Sequence, residues 1–451
     1  MAADDSMVSG DQAWPRESYG WYVVFVLCVC GIVAFIDRQI INLLVEDIKA
    51  DLNVSDVQIS LLQGLAFASF YATVAVPLGR LADAVNRRLL IAVAIVLWTL
   101  AALSCGMADS YGELFVARMF IGVGEAVLTP AGFSLLADYF RPRRLSLPVS
   151  VFTGSSFFGS GVALLAGGAL IAYLAGVDSL VFPVLGELRP WQAAFIFGAL
   201  PGFPVALWFF LSVREPERRS NPQLSSGVEL RTGFVQALRY IRRHGRMFCG
   251  IFLGLSLVAA ANFSMGAWVP AFFIRVHGWE ASQVGWVYGW LFLICGSGGV
   301  IVGGWFANLL HARGFCDSNL RAPLIGVVLA LPFAIAFTQV ESAKLAVALM
   351  VPLMFFSTLP FGAGTAVLPI VTPPQFRAQL VAIYLLIANV VGQAGGPWVV
   401  ALLTDNVFGD PMQVGQSISV TVGILLLTSA FFLTLGLQPV RQLLSQETRG
   451  D

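Results

Sequence analysis

Long apolar runs separated by short polar stretches make up almost the whole chain. Twelve of them fall near residues 21–44, 57–81, 89–108, 112–137, 146–174, 191–212, 247–274, 283–310, 322–338, 344–368, 378–403 and 415–438. Crossing a bilayer takes about 20 apolar residues in helical form, so each run predicts a transmembrane helix. The longest polar stretch, Val213 to Arg246, carries Pro216, Asn221, Pro222, Ser225 and Ser226 and divides the runs six and six. Within it, Gly233–Arg246 sets Phe234, Leu238 and Ile241 at helical spacing, with Arg239, Arg242 and Arg243 elsewhere. That pattern predicts a helix lying on the membrane surface. The expected layout is an N-terminal tail (1–20), a six-helix bundle (21–212), a linker (213–246), a second six-helix bundle (247–438) and a C-terminal tail (439–451).

Polar residues between the runs set an orientation. Arg87, Arg88, Arg141, Arg143, Arg144, Arg313, Arg321 and Arg377 fall on one side if the runs alternate, together with the central linker. The other side carries Glu46, Asp47, Asp51, Asp109, Glu113, Asp178, Glu341 and Asp405. The positive-inside rule then places both termini in the cytoplasm. An internal repeat is also visible. The displacement from Gly64 to Gly289 equals that from Gly79 to Gly304, and it also matches Gln58 with Gln283, Asp83 with Asn308 and Asp37 with Asn262. A duplicated six-helix unit predicts an all-α membrane fold of two pseudo-symmetric bundles, with a substrate site at their interface near the midplane.

Composition narrows the functions. The 451 residues are 57% hydrophobic and 12% charged, against about 25% charged in soluble proteins. The only lysines, Lys49 and Lys344, follow Ile48 and Ala343, so no phosphate-binding Gly-Lys-Ser/Thr loop exists to power an ATPase. His244, His277 and His311 form no His-x-x-x-His or His-x-x-Glu-His pair, which argues against a zinc site. Cys28, Cys30, Cys105, Cys249 and Cys295 lie in apolar runs and Cys316 in a loop, with no disulfide framework. Residues 1–20 are acidic and lack the basic start of a cleavable signal. No basic stripe points to nucleic acid, and no nucleophile–base pair points to an enzyme. No cofactor, metal or catalytic residue is expected.

Four ionisable residues inside apolar runs carry the functional signal: Asp37 and Arg38 in the first, Arg118 and Glu125 in the fourth. Each costs about 2.5–3.5 kcal/mol at the bilayer centre on insertion scales. A chain retains such groups where they pair internally or line a watery path. Asp37 and Arg118 fall at similar depth, counted at about 1.5 Å per residue. Arg118 and Glu125 are seven apart and share a helix face. A switch of Asp37 and Glu125 between an arginine-paired and an isolated environment would couple protons to movement; the plainer reading is a static ion network. Arg38 is turned about 100° from Asp37, so it is expected to face a different partner. It is a candidate for a substrate anion, in competition with Arg118. Asn262, Tyr384, Asn389 and Gln393, the last two four apart on one helix, are candidate cavity-lining residues; interhelical hydrogen bonding is the other reading.

The loop Gly79-Arg80-Leu81-Ala82-Asp83-Ala84-Val85-Asn86-Arg87-Arg88 resembles the signature cytoplasmic loop of the major facilitator superfamily, and Gly304–Asn308 with Arg313 resembles its degenerate copy. Arg118–Ala126 resembles the fourth-helix motif, and Gly154, Gly159, Gly161, Gly167 and Gly168 resemble the glycine-rich fifth helix of proton-coupled members. Asp37-Arg38, Gly122-x-Gly124-Glu125-Ala126 and Pro77-x-Gly79-Arg80-Leu81-Ala82-Asp83 are most similar to the bacterial spinster-type family of lipid transporters; Phe35-Ile36 stands where that family typically has Asn-Tyr. The resemblance implies the major facilitator fold and a gate made of Gly79, Asp83, Arg87 and Arg88, with Asn308 its uncharged counterpart. In that gate Asp83 would cap a helix N-terminus in the other repeat, while Arg87 pairs across the loop. It implies a proton-coupled, alternating-access carrier of an amphipathic lipid or lysolipid, sphingosine-phosphate-like or lysophospholipid. The chain is expected to act as a monomer in a bacterial-type inner (plasma) membrane. The competing readings are a proton-coupled carrier of a small organic anion or drug, and a non-transporting membrane receptor.

Overall fold

The computed structural model describes residues 15–141, 144–176, 180–182, 186–217, 236–373 and 376–450, leaving out the side chains of a few helical positions. Helices occupy the places of the apolar runs: α1 (Glu17–Leu43), α2 (Asp56–Ser60 through Leu61–Leu65 to Ala66–Ala84), α3 (Arg87–Cys105), α4 (Tyr111–Tyr139), α5 (Leu147–Leu174), α6 (Pro190–Ser212), α7 (Gly245–His277), α8 (Ala281–Ala312), α9 (Ser318–Ala336), α10 (Ala343–Val371), α11 (Gln379–Phe408) and α12 (Pro411–Ser445). All but α2 are counted, among the described residues, as 11 helices long and apolar enough to cross a membrane. Two short strands, Leu180–Phe182 and Gly186–Leu188, pair antiparallel between α5 and α6.

Helix starts follow local chemistry. Ser55 and Gln58 form a capping box at α2, Asn86 accepts from Leu89 N at α3, and Ser110 accepts from Glu113 N at α4. Each supplies an acceptor to a first-turn N–H that has none within the helix. Two further stretches are helical. Residues 236–243 are helical, but Leu238 is exposed and Ala237 is buried, while the Tyr240 hydroxyl donates to Val371 O at 3.0 Å. This helix packs its Tyr240 side against the protein and leaves Leu238 exposed; Phe234 lies outside the described residues. The last helix also continues to Gly450, past the expected boundary at 438.

The first six helices pack mainly on one another, as do the last six, and the halves meet where α2 crosses α11 and α5 crosses α8. Lipid gives no hydrophobic drive between helices, so small residues decide how close they come. A Cβ on Gly64 would sit 2.4 Å from Gln393 O of α11. One on Gly289, its repeat partner, would sit 3.0 Å from Gly161 O of α5. The repeated glycine is thus the contact point of both crossings. π-turns interrupt α2 (Leu61–Leu65), α8 (Leu291–Gly296) and α11 (Ala388–Gly395 and Leu403–Phe408) at or near these crossings.

Candidate functional site

The four intramembrane charges converge between α1, α2 and α4. Asp37, Arg118 and Glu125 are buried at 1%, 1% and 2% exposure. The partners differ from those the spacing suggests. Arg38, not Arg118, pairs with Glu125, its Nε and Nη2 both reaching Oε2. Its guanidinium lies 4.2 Å from the Phe67 ring centroid and 5.2 Å from that of Phe35. A 100° turn separates the Cβ directions of Asp37 and Arg38, but the long arginine stem swings its head back to α4. Arg118 spends its donors on the backbone: Nη1 donates to Asp37 O at 2.8 Å and Nε to Leu62 O at 3.3 Å. Leu62 lies in the π-turn of α2, where carbonyls lose their usual i→i+4 donor. Both Asp37 carboxylate oxygens and Glu125 Oε1 are buried with no hydrogen-bond partner. A buried acceptor without a donor is costly unless it gains a proton or water.

Beside this cluster runs a chain of amides. Asn42 Nδ2 donates to Gln39 Oε1 at 2.8 Å, and Gln63 Nε2 donates to Asn42 Oδ1 at 3.0 Å and across the seam to Ala267 O of α7 at 3.3 Å. The C-terminal half is neutral at the matching place. Asn262, the repeat partner of Asp37, donates to Val258 O and Ser357 O and accepts from the Ser357 hydroxyl. Tyr384 is buried beside Phe252, Asn389 donates to its own helix at Leu385 O, and Gln393 is buried in the π-turn facing Gly64. Of these, Asn262 and Asn389 are tied within their own half.

At the arginine-rich end, Gly79 and Asp83 fall in the last turns of α2 and otherwise lie outside the described residues. Arg87 is 2% exposed. It binds Glu215 Oε1 at 2.8 Å and Ser134 O at 3.0 Å, and it also pairs with Asp138. Arg88 donates from N to Glu215 Oε2 at 2.9 Å and stacks on Phe210. These arginines therefore bind their own half; Asn308 is exposed near the end of α8. The opposite half shows the inverse charges. Asp317, just before α9, receives Arg321 and Arg441 at 3.1 and 2.9 Å. Burial pushes its carboxyl up, but the two arginines outweigh this and hold it below the ordinary carboxylate value.

The acid-bearing end holds a set of residues that the sequence did not mark. Arg275 of α7, its side chain 4% exposed, donates to Asp56 Oδ2 at 2.6 Å, Asp56 Oδ1 at 2.7 Å and Glu46 Oε1 at 2.8 Å across the seam. Lys49 also pairs with Asp56. Burial raises the Asp56 carboxyl, and Arg275 and Lys49 together bring it below its ordinary value. Asp405 of α11 accepts from Val57 N at 2.8 Å. The sequence signal was weak: Arg275 is one of few basic residues among the acids of that side, with Lys49 and Arg189. The two halves are closed together at this end.

The family model described as Major Facilitator Superfamily matches residues 27–397. An MFS-type efflux pump of Mycolicibacterium smegmatis is 27% identical, covering 100% of both chains. The sphingosine-1-phosphate transporter SPNS2 of Danio rerio is 22% identical, covering 84% of this chain and 75% of that one. A solved bacterial homolog of the human lysosomal transporter Spinster, inward-facing and unoccupied, matches with a TM-score of 0.75 at 23% identity, covering 96% of this chain and 98% of that one.

Proposed function

We propose, from the premise that this chain belongs to the Major Facilitator Superfamily, that it is a proton-coupled carrier of an amphipathic anionic lipid or lysolipid. It is an integral membrane protein of that fold. The arginine-rich face is read as cytoplasmic, in a bacterial-type inner membrane, with the linker and both termini on that side. Closure at the acid-bearing mouth then makes this the arrangement that opens to the cytoplasm.

One observation carries the reading. Arg38, half-buried and packed on Phe67 and Phe35, is held by a carboxylate whose second oxygen has no partner. A proton on Glu125 cancels its hold on Arg38. The freed guanidinium, set among aromatic rings, suits a ligand with an anionic head and an apolar body. Arg118 stays fixed on Asp37 O and Leu62 O and keeps α1, α2 and α4 together. Asp37, buried without a donor, is the second proton site. The driving force is adequate: one charge crossing 100 mV releases about 2.3 kcal/mol. The likeness to a sphingosine-1-phosphate transporter supports the lipid class.

The test uses purified protein in liposomes with a pH dye inside. A lysophospholipid or a sphingoid phosphate is expected to drive proton movement in the active protein. Movement with a small carboxylate alone would favour the organic-anion reading. Lipid flux without proton movement would remove the coupling.

A further inference from the structure

We propose that the arginine-bearing side of the short helix at residues 236–243 is a docking surface for the headgroups of anionic phospholipids in the leaflet it borders. It takes only the membrane-surface placement of this end from the reading above and is independent of the cargo and the proton.

The stretch Gln236 to Arg246 holds four arginines and no acid. Arg239, Arg242 and Arg243 are spaced i, i+3 and i+4, which sets them on one side of the helix. All three are exposed, as is Arg246 at the start of α7. Among the described residues none of the four has a hydrogen bond or ion pair. Leu238, four before Arg242, is exposed beside them. The opposite side is already spent. Ala237, Tyr240, Ile241 and His244 repeat the same helical spacing. Ala237 is buried, and the Tyr240 hydroxyl donates to Val371 O at 3.0 Å. The Tyr240 ring lies 5.7 Å from that of Phe248 and 6.0 Å from that of Phe376. A helix floating on lipid turns its apolar side to the bilayer. This one is fixed to the protein by that side, so its hold on a membrane must come from charge.

The level fits a headgroup. Burial begins at Met247 of α7. Arg243 and Arg246 precede it by no more than about 6 Å of helix at about 1.5 Å per residue, and the headgroup layer on each side of a bilayer is roughly 5–8 Å thick. Long arginine stems let the other heads reach the same layer. Arginines clustered beside a membrane span attract anionic lipid, each by about fivefold, and one guanidinium can hold two oxygens of a phosphate. A zwitterionic headgroup has the phosphate but no net charge, so the surface should prefer an anionic one. The hold also has a route into the protein. Tyr240 bonds the last residue of α10 and packs on Phe376, which leads into α11. A headgroup on the arginines is thereby tied to the connection between those two helices.

The experiment titrates the purified full-length protein in detergent with phosphatidylglycerol or with phosphatidylcholine of the same acyl chains, and counts bound lipids by native mass spectrometry. The native protein is expected to bind phosphatidylglycerol about tenfold more tightly or better. Arg239→Gln, Arg242→Gln and Arg243→Gln combined should abolish the preference, while the same three positions changed to lysine should keep most of it. Should the triple glutamine variant fail to insert, Arg242→Gln alone, with a loss of about fivefold, decides the matter. Arg313→Gln, exposed at the same end, and Arg38→Gln, at the proposed cargo site, should leave the preference in place. A preference that survives the triple glutamine variant, or that Arg38→Gln alone removes, would overturn the surface. The acidic start of the chain is the competing occupant. Asp4→Asn, Asp5→Asn and Asp11→Asn combined should leave phosphatidylglycerol binding unchanged, and a rise of about tenfold would give the arginines to that segment and overturn the lipid assignment.

Discussion

The two halves share a fold and differ in where they keep charge. The N-terminal half buries Asp37, Arg38, Arg118 and Glu125 within its helices. The C-terminal half answers Asp37 with Asn262, held by Ser357. At the arginine-rich end the halves are inverted: Arg87 between Asp138 and Glu215 on one side, Asp317 between Arg321 and Arg441 on the other. The buried titratable carboxylates lie in one half, and the matching place in the other is neutral.

The largest expected effect tests that division directly. Glu125→Gln leaves Arg38 without a counter-ion that can switch, and proton-driven flux in liposomes is expected to fall to background. Asn262→Ala, in the matching neutral site, is expected to keep flux within a few-fold of the native protein. Comparable losses in the two variants would end the distinction between halves.

Arg118→Lys sharpens the roles inside the charged half. Lysine keeps the charge but loses the planar fork that reaches Asp37 O and Leu62 O together. The protein should insert normally and transport about tenfold more slowly. Flux per molecule in the membrane is the readout, and near-native flux would reduce Arg118 to a static charge.

The inverted pins should differ in cost. Arg87→Gln strips a buried cation from two carboxylates, a loss of about 3–5 kcal/mol when a buried pair is broken. Asp317→Asn frees two arginines that are 27% and 55% exposed, so the loss is about 1 kcal/mol. Thermal unfolding in detergent compares them. The Asp317 contribution also has a sign in pH. Its folded value is depressed, so its stability is complete above the ordinary value of about 3.9 and is lost as pH falls through the lower folded value. Asp317→Asn should remove that acid-side decline.

The smallest contrast concerns the two crossings. A Cβ at Gly64 meets backbone at 2.4 Å, whereas at Gly289 it first meets the Leu165 side chain at 2.8 Å, which can turn aside. Gly64→Ala should therefore lower the midpoint of thermal unfolding in detergent more than Gly289→Ala.

Much of this was legible in the sequence. The apolar runs gave the helices, because bilayer thickness fixes their length. The matched displacement of Gly64 and Gly289 marked the repeat, though not the crossings these glycines form, and helical rise placed Asp37 level with Arg118. Pairing was not legible. Arg38 reaches Glu125 because its stem outweighs the direction of its Cβ, and Arg118 turns to two backbone carbonyls, of which the π-turn releases Leu62 O. Arg275, Asp56 and Asp405 were hidden for another reason: their partners lie in opposite halves, and separate loops read only as a topological charge bias.

The π-turn at Leu61–Leu65 has an evolutionary reading. Such a turn accommodates one residue more than an α-helix would hold in that length. Deleting a single residue there would restore an uninterrupted helix and rotate everything beyond it by about 100°. The capped start of α2 at Ser55 would keep its aim, while the far stretch from Ala66 to Ala84 would turn to new neighbours. The one extra residue thus sets the phase between the two ends of α2, and away from Gly64 the turn should tolerate substitution far better than deletion.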